Sequence, residues 1–108
     1  KDDRVYLTHI RDAITQIESY TTGGEEVFFR ERIVQDAVIR NLEIIGEAAR
    51  HLSENVRARY PEIPWMRVAG LRDVLIHEYF GVHLERVWRV VERRLPELKQ
   101  LVESLLAG

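Results

Sequence analysis

Apolar residues recur every three or four positions along nearly all of this 108-residue chain, and no segment alternates with period two for long enough to make a strand. That spacing predicts helices throughout. The first runs from about Asp2 to Tyr20, with Tyr6, Ile10, Ala13, Ile14 and Ile17 on one stripe. Thr21-Thr22-Gly23-Gly24 ends it, a Gly supplying the left-handed stop. Glu25 to Arg30 reads as a short helical turn anchored by Phe28 and Phe29. A long helix follows, from about Glu31 to Leu52, with two apolar rows. One is Val34, Val38, Ile45, Ala49 and Leu52; the other is Ile33, Ala37, Ile44 and Ala48. Two rows predict burial on more than one side. Gly46 within it costs roughly 1 kcal/mol against Ala, which close approach of another helix would explain. Between the rows runs a polar line, Asp36, Arg40, Glu43, Glu47 and Arg50, which also fits a plain solvated ion-pair stripe.

Ser53 caps a further turn to Arg59, and Tyr60-Pro61-Glu62-Ile63-Pro64 is expected to be extended, because a residue before Pro avoids the helical region. Pro64 is expected as the first residue of a helix reaching about Phe80, with Gly81 as its stop. The last helix runs from about Leu84 to Leu106 on a stripe of Leu84, Val87, Val91, Leu98, Val102 and Leu105. Pro96 inside it should kink it, since proline removes a donor and clashes with the carbonyl of Glu92. Four long helices with short links make neighbours antiparallel. The expected fold is all-α: an antiparallel up-and-down four-helix bundle with short extra helical turns, forming one domain over residues 1–108.

Composition narrows the chemistry. Without cysteine there is no disulfide, thiolate nucleophile or zinc ribbon, and a cytoplasmic location is expected. No apolar run approaches the roughly 20 residues of a membrane span, and Lys1-Asp2-Asp3-Arg4 resembles no signal peptide. The chain opens without a Met, so leading residues are expected to precede Lys1. A net charge of −2 neither requires nor forbids nucleic acid, and the basic set is 14 Arg to 2 Lys. Segments around Arg67, Arg72, Arg86 and Arg89 are expected to face one groove. No glycine-rich phosphate loop or G-x-S-x-G is present. His77-Glu78 opens like a zincin motif, but position 81 is Gly, and no metal or cofactor is expected. His9 and His51 read as ordinary surface residues.

The remaining cluster is Leu71-Arg72-Asp73-Val74-Leu75-Ile76-His77-Glu78-Tyr79-Phe80-Gly81. Arg72 and Tyr79, seven apart, share a helical face; Asp73 and His77, four apart, share the neighbouring one. Arg72 and His77 point about 140° apart, so a cleft between two copies of this helix would focus them better than one copy. Arg, His and Tyr supply a fixed cation, a proton shuttle and a hydroxyl, and an aspartate one turn before a histidine can fix its tautomer. The same residues also suit an ordinary helix end, with His77 near the negative pole of the dipole.

The pattern Arg72-x4-His77-x-Tyr79 resembles the HepT-like toxins of the HEPN superfamily (higher eukaryotes and prokaryotes nucleotide-binding domains). The likeness extends to Arg40-Asn41-Leu42-Glu43-Ile44-Ile45-Gly46-Glu47-Ala48-Ala49, to Ile63-Pro64-Trp65 and to Ala69-Gly70-Leu71. Many relatives have Asn where this chain has Asp73. The resemblance implies the toxin of a type VII toxin–antitoxin system. Such a toxin is a homodimeric, metal-independent endoribonuclease that cuts tRNA or mRNA by 2′-hydroxyl attack. It implies Arg72 and His77 as catalytic residues, with Asp73 and Tyr79 positioning the substrate. It also implies a partner, an MntA-like nucleotidyltransferase antitoxin that transfers AMP to Tyr79. The alternative is a non-catalytic helical subunit that binds nucleotide or substrate for a nucleotidyltransferase.

Overall fold

The structure is a computed structural model that describes the backbone of residues 2–77 and 84–108, and the side chains of 2–71 and 84–108. Helix α1, Asp3–Tyr20, starts where the Asp2 carboxylate accepts the Arg4 N–H at 2.9 Å. Leu7, Ile10, Ala13, Ile14 and Ile17 are buried, and Tyr6 sits half-buried at the edge of the stripe. The helix closes at Thr21, whose hydroxyl donates to the Ile17 carbonyl at 2.8 Å. The left-handed glycine is not its stop. Gly24, at φ +81°, instead turns the chain into α2, Gly24–Arg30. Gly23 is required for a different reason: a Cβ there would lie 2.6 Å from a Val27 methyl.

Phe28 of α2 is fully buried and packs on Phe29 and Trp88, each at a ring-centroid distance of 5.2 Å. The extended Glu31 separates α2 from α3, Arg32–Arg50, and the Gln35 amide donates back to the carbonyls of Phe28 and Phe29. Helix α3 packs against α1 and α5. Its buried residues are Val38, Ile39, Leu42, Ile45, Gly46, Ala48 and Ala49. The expected second apolar row is therefore only half right: Ala48 is buried, Ala37 and Ile44 are half-buried, and Ile33 is 81% exposed. Ile33 lies seven and fourteen residues before Arg40 and Glu47, so it shares their solvated face.

Helix α4, Glu54–Arg59, begins at Ser53, whose Oγ accepts the Val56 N–H at 3.3 Å. Residues 60–64 form a turn rather than an extended segment. Tyr60, preceding Pro61, stays outside the helical region, but its carbonyl accepts the Ile63 N–H at 3.1 Å. That carbonyl also accepts the Trp65 indole N–H at 3.0 Å. Helix α5 is Trp65–His77, and Pro64 stands just before it, accepting the Arg67 and Val68 N–H groups. The expected end at Phe80 and Gly81 lies outside the described residues.

Helix α6, Leu84–Arg89, continues through one wide turn, Val90–Arg94, into α7, Leu95–Ala107. In that turn the Leu95 N–H reaches the Val90 carbonyl, five residues back. Pro96 therefore follows a widened turn and occupies the first turn of α7, where its missing donor costs little. Leu95, Leu98 and Val102 bury the inner face of α7 against α1, and Lys99 bridges to Glu18 at 2.9 Å. The result is the helical bundle that the periodicity predicts.

One tie across the bundle has a pH signature. The Asp3 carboxylate accepts both the Ser53 hydroxyl (2.7 Å) and the Ser53 N–H (2.8 Å), joining the start of α1 to the cap of α4. These bonds, the hydroxyl first, hold the Asp3 pKa below 3.8. A lowered carboxylate pKa adds stability above the unfolded value, and the gain is lost as pH falls through the folded one. Asp3→Ala is expected to cost about 1–2 kcal/mol at pH 7. Thermal melts should show the gap to wild type narrowing below pH 4, and a pH-independent gap would refute the linkage.

Candidate active site

Arg72, Asp73 and His77 all lie on α5, on backbone that the structure describes; their side-chain positions lie outside it. Tyr79 lies outside the described residues altogether. The helix is held from both ends of its first half. Trp65 is buried and hydrogen-bonded to Tyr60, and Val68 and Leu71 pack against the core on the side facing Ile45. Regular helical geometry from Trp65 to His77 supports the register expected for the cluster. Asp73 stands one turn before His77, and Arg72 stands five residues before it.

The same register continues backwards as Met66, Gly70, Asp73 and His77, positions that follow one another around a single face. Met66 is 83% exposed, and a Cβ on the half-buried Gly70 would meet nothing within 4 Å among the described residues. A mid-helix glycine that no described neighbour crowds leaves room there for close approach.

The polar line of α3 is largely paired along its own helix. Arg32 meets Asp36 and Arg40 meets Glu43, each at 3.5 Å, and Glu47 meets His51 at 3.2 Å. His51 also stacks on Tyr6 with ring centroids 5.0 Å apart. This is the ion-pair stripe the spacing allowed; Glu43 is half-buried, and the exposed pairs contribute little each.

The expected grouping of Arg67, Arg72, Arg86 and Arg89 includes Arg72, whose side chain lies outside the described residues. Among the described residues Arg67 shares a groove with Arg94, and Arg86 and Arg89 are exposed and do not line it. The groove lies between the start of α5 and the wide turn before α7. Its volume is about 260 Å³, and its floor is aliphatic, with Ile45, Val68, Leu71 and Leu95 among its walls. Arg67, Arg94 and Glu97 line the groove as exposed residues, and neither guanidinium has an ion-pair partner among the described residues. Sequence spacing did not single out Arg94 or Glu97, because they meet Arg67 only through folding.

Residues 10–105 match the family described as Ribonuclease HepT-like. The chain is 45% identical over 107 residues to a Methanocaldococcus jannaschii protein named "Gamma-glutamylcyclotransferase and putative RNase". That match takes in 98% of this chain and 48% of the relative, so the chain spans about half the relative's length. It is 44% identical over 101 residues to a Thermococcus cleftensis protein named "Probable ribonuclease HepT", covering 93% of this chain and 92% of that one. No solved structure gives a significant match.

Proposed function

Because the chain belongs to the HepT-like ribonuclease family, we propose that it is a toxin endoribonuclease that cuts RNA without a metal ion, working as a homodimer in the cytoplasm. The observation that carries the reading is the intact Arg72-x4-His77-x-Tyr79 series inside the matched span. The exposed Met66 and the uncrowded Gly70 one turn later on α5 support the dimer, since a second copy seated there would cover Met66 and approach closely at Gly70.

RNA brings its own nucleophile. His77 takes the proton from the 2′-hydroxyl as its oxygen attacks the adjacent phosphorus. The 2′-oxygen–phosphorus bond forms, the bond to the 5′-oxygen breaks, and the leaving oxygen takes a proton from the His77 of the second copy. The products are a 2′,3′-cyclic phosphate and a 5′-hydroxyl. Arg72 stabilises the charge that builds on the phosphorane oxygens. Tyr79 positions the phosphate, and Asp73 holds the His77 tautomer. A nucleotidyltransferase antitoxin would silence the site by moving AMP from ATP to the Tyr79 hydroxyl: the phenolic oxygen bonds the α-phosphorus, the α–β phosphoanhydride bond breaks, and pyrophosphate and the hydroxyl proton leave, which places phosphate and bulk beside Arg72.

Incubating the chain with labelled tRNA and mRNA in EDTA is expected to give the same cleavage as in magnesium, with cyclic-phosphate ends. Loss of cleavage in EDTA, restored by magnesium, would refute the metal-free chemistry. Preincubation with the cognate nucleotidyltransferase, ATP and magnesium should abolish cutting and add the mass of AMP to the Tyr79 peptide. Modification at another residue would overturn the assignment of Tyr79.

A further inference from the structure

The groove between α5 and the turn at Val90–Arg94 has no role in the chemistry above. Aliphatic side chains wall it, its volume is about 260 Å³, and two exposed guanidiniums without ion-pair partners among the described residues line it. We propose that this groove holds one unpaired nucleotide of the RNA substrate, the base in the aliphatic slot and a neighbouring phosphate between Arg67 and Arg94. The inference rests on the ribonuclease reading and adds to it a requirement for single-stranded substrate.

Three observations favour this occupant. The slot is smaller than a drug-sized pocket and suits one flat ring, not a base pair. The two arginines need anions: covering them with a protein surface would strand two desolvated cations, whereas an RNA backbone supplies a phosphate for them. Glu97, an exposed acceptor in the same lining, suits a base amino group and repels phosphate, which leaves the backbone to the arginine side.

The groove also lies at a useful distance from the motif. Val68 precedes His77 by nine residues, about 13.5 Å along the helix axis at 1.5 Å per residue. A base seated there is near the scissile phosphate without being part of it. Aliphatic walls read the faces of a base and not its pairing edge, so the slot selects for being unpaired more than for sequence. The wide turn that brings Val90 and Arg94 to the groove is of a kind often found at functional sites.

The test uses the full chain in a His77→Ala background and a fluorescein-labelled RNA decamer, either single-stranded, annealed to its complement, or carrying one abasic site moved along the strand. Anisotropy is expected to show binding about tenfold tighter for the single strand than for the duplex, with one abasic position losing about tenfold, the worth of burying one base face against apolar side chains. Val68→Phe, which fills the slot, should lose about as much, with its helical circular dichroism checked. Arg67→Ala and Arg94→Ala should each lower the salt slope of binding by about one. Equal binding of duplex, or an even response to every abasic position, would overturn the proposal. So would a folded Val68→Phe protein that binds normally, including one that changes only the oligomeric state and thereby marks the groove as a seat for a second copy. The two readings fail separately. A wild-type chain that binds in this pattern but cuts no RNA keeps the groove and loses the ribonuclease. A chain that cuts RNA with Val68→Phe unaffected does the reverse.

Discussion

His77→Ala is expected to lower the rate of RNA cleavage by about 10²–10⁴-fold, the usual contribution of a positioned general acid–base group. The 2′-hydroxyl is a poor nucleophile while it keeps its proton, and alanine offers nothing to take it. Arg72, on the same helix, would still meet the phosphate, so RNA binding should change far less than the rate. Single-turnover cleavage and anisotropy on the same RNA separate the two quantities. A variant that retains full cleavage would remove His77 from the mechanism. A variant that loses binding and rate in equal measure would mark His77 as a binding residue and not a proton carrier.

Phe28→Ala is expected to destabilise the fold by about 3–5 kcal/mol, the range for truncating a fully buried aromatic. Phe28 has no exposed surface and touches Phe29 on its own short helix and Trp88 on α6. Its loss opens a cavity where α2, α3 and α6 meet, and the Gln35 bonds to the Phe28 and Phe29 carbonyls fix the backbone too firmly for the gap to close. A small domain has about 5–15 kcal/mol in total, so urea unfolding should show a large drop in midpoint. A change under about 1 kcal/mol would mean that α2 packs loosely and that the aromatic cluster is not part of the cooperative core.

Helical periodicity identified α1, α2, α4 and most of α3 from sequence because each obeys a local rule. Asp2 and Ser53 cap their helices through their own side chains, and Ile10, Ile14 and Ile17 repeat at the spacing of one face. Ile33 escaped that logic: spacing says which residues share a face, not whether a neighbour covers it. Pro96 escaped it for another reason. Its effect depends on how the preceding turn responds, and the chain widens at Val90–Arg94 where a kink was expected.

The motif and the groove divide along the same line. Arg72, Asp73 and His77 were legible as a set because they sit within one turn and a half of a single helix, where chain geometry fixes their relative directions. Arg67 and Arg94 stand 27 positions apart, on segments whose meeting depends on how α5 and α7 pack. Only the tertiary structure decided that both would line one groove, because long-range side-chain proximity comes from packing and leaves no periodic trace in the chain. The sequence by itself determined the helices and the order of the chemical groups along α5; the bundle determined which distant side chains, Arg67 and Arg94, line one groove.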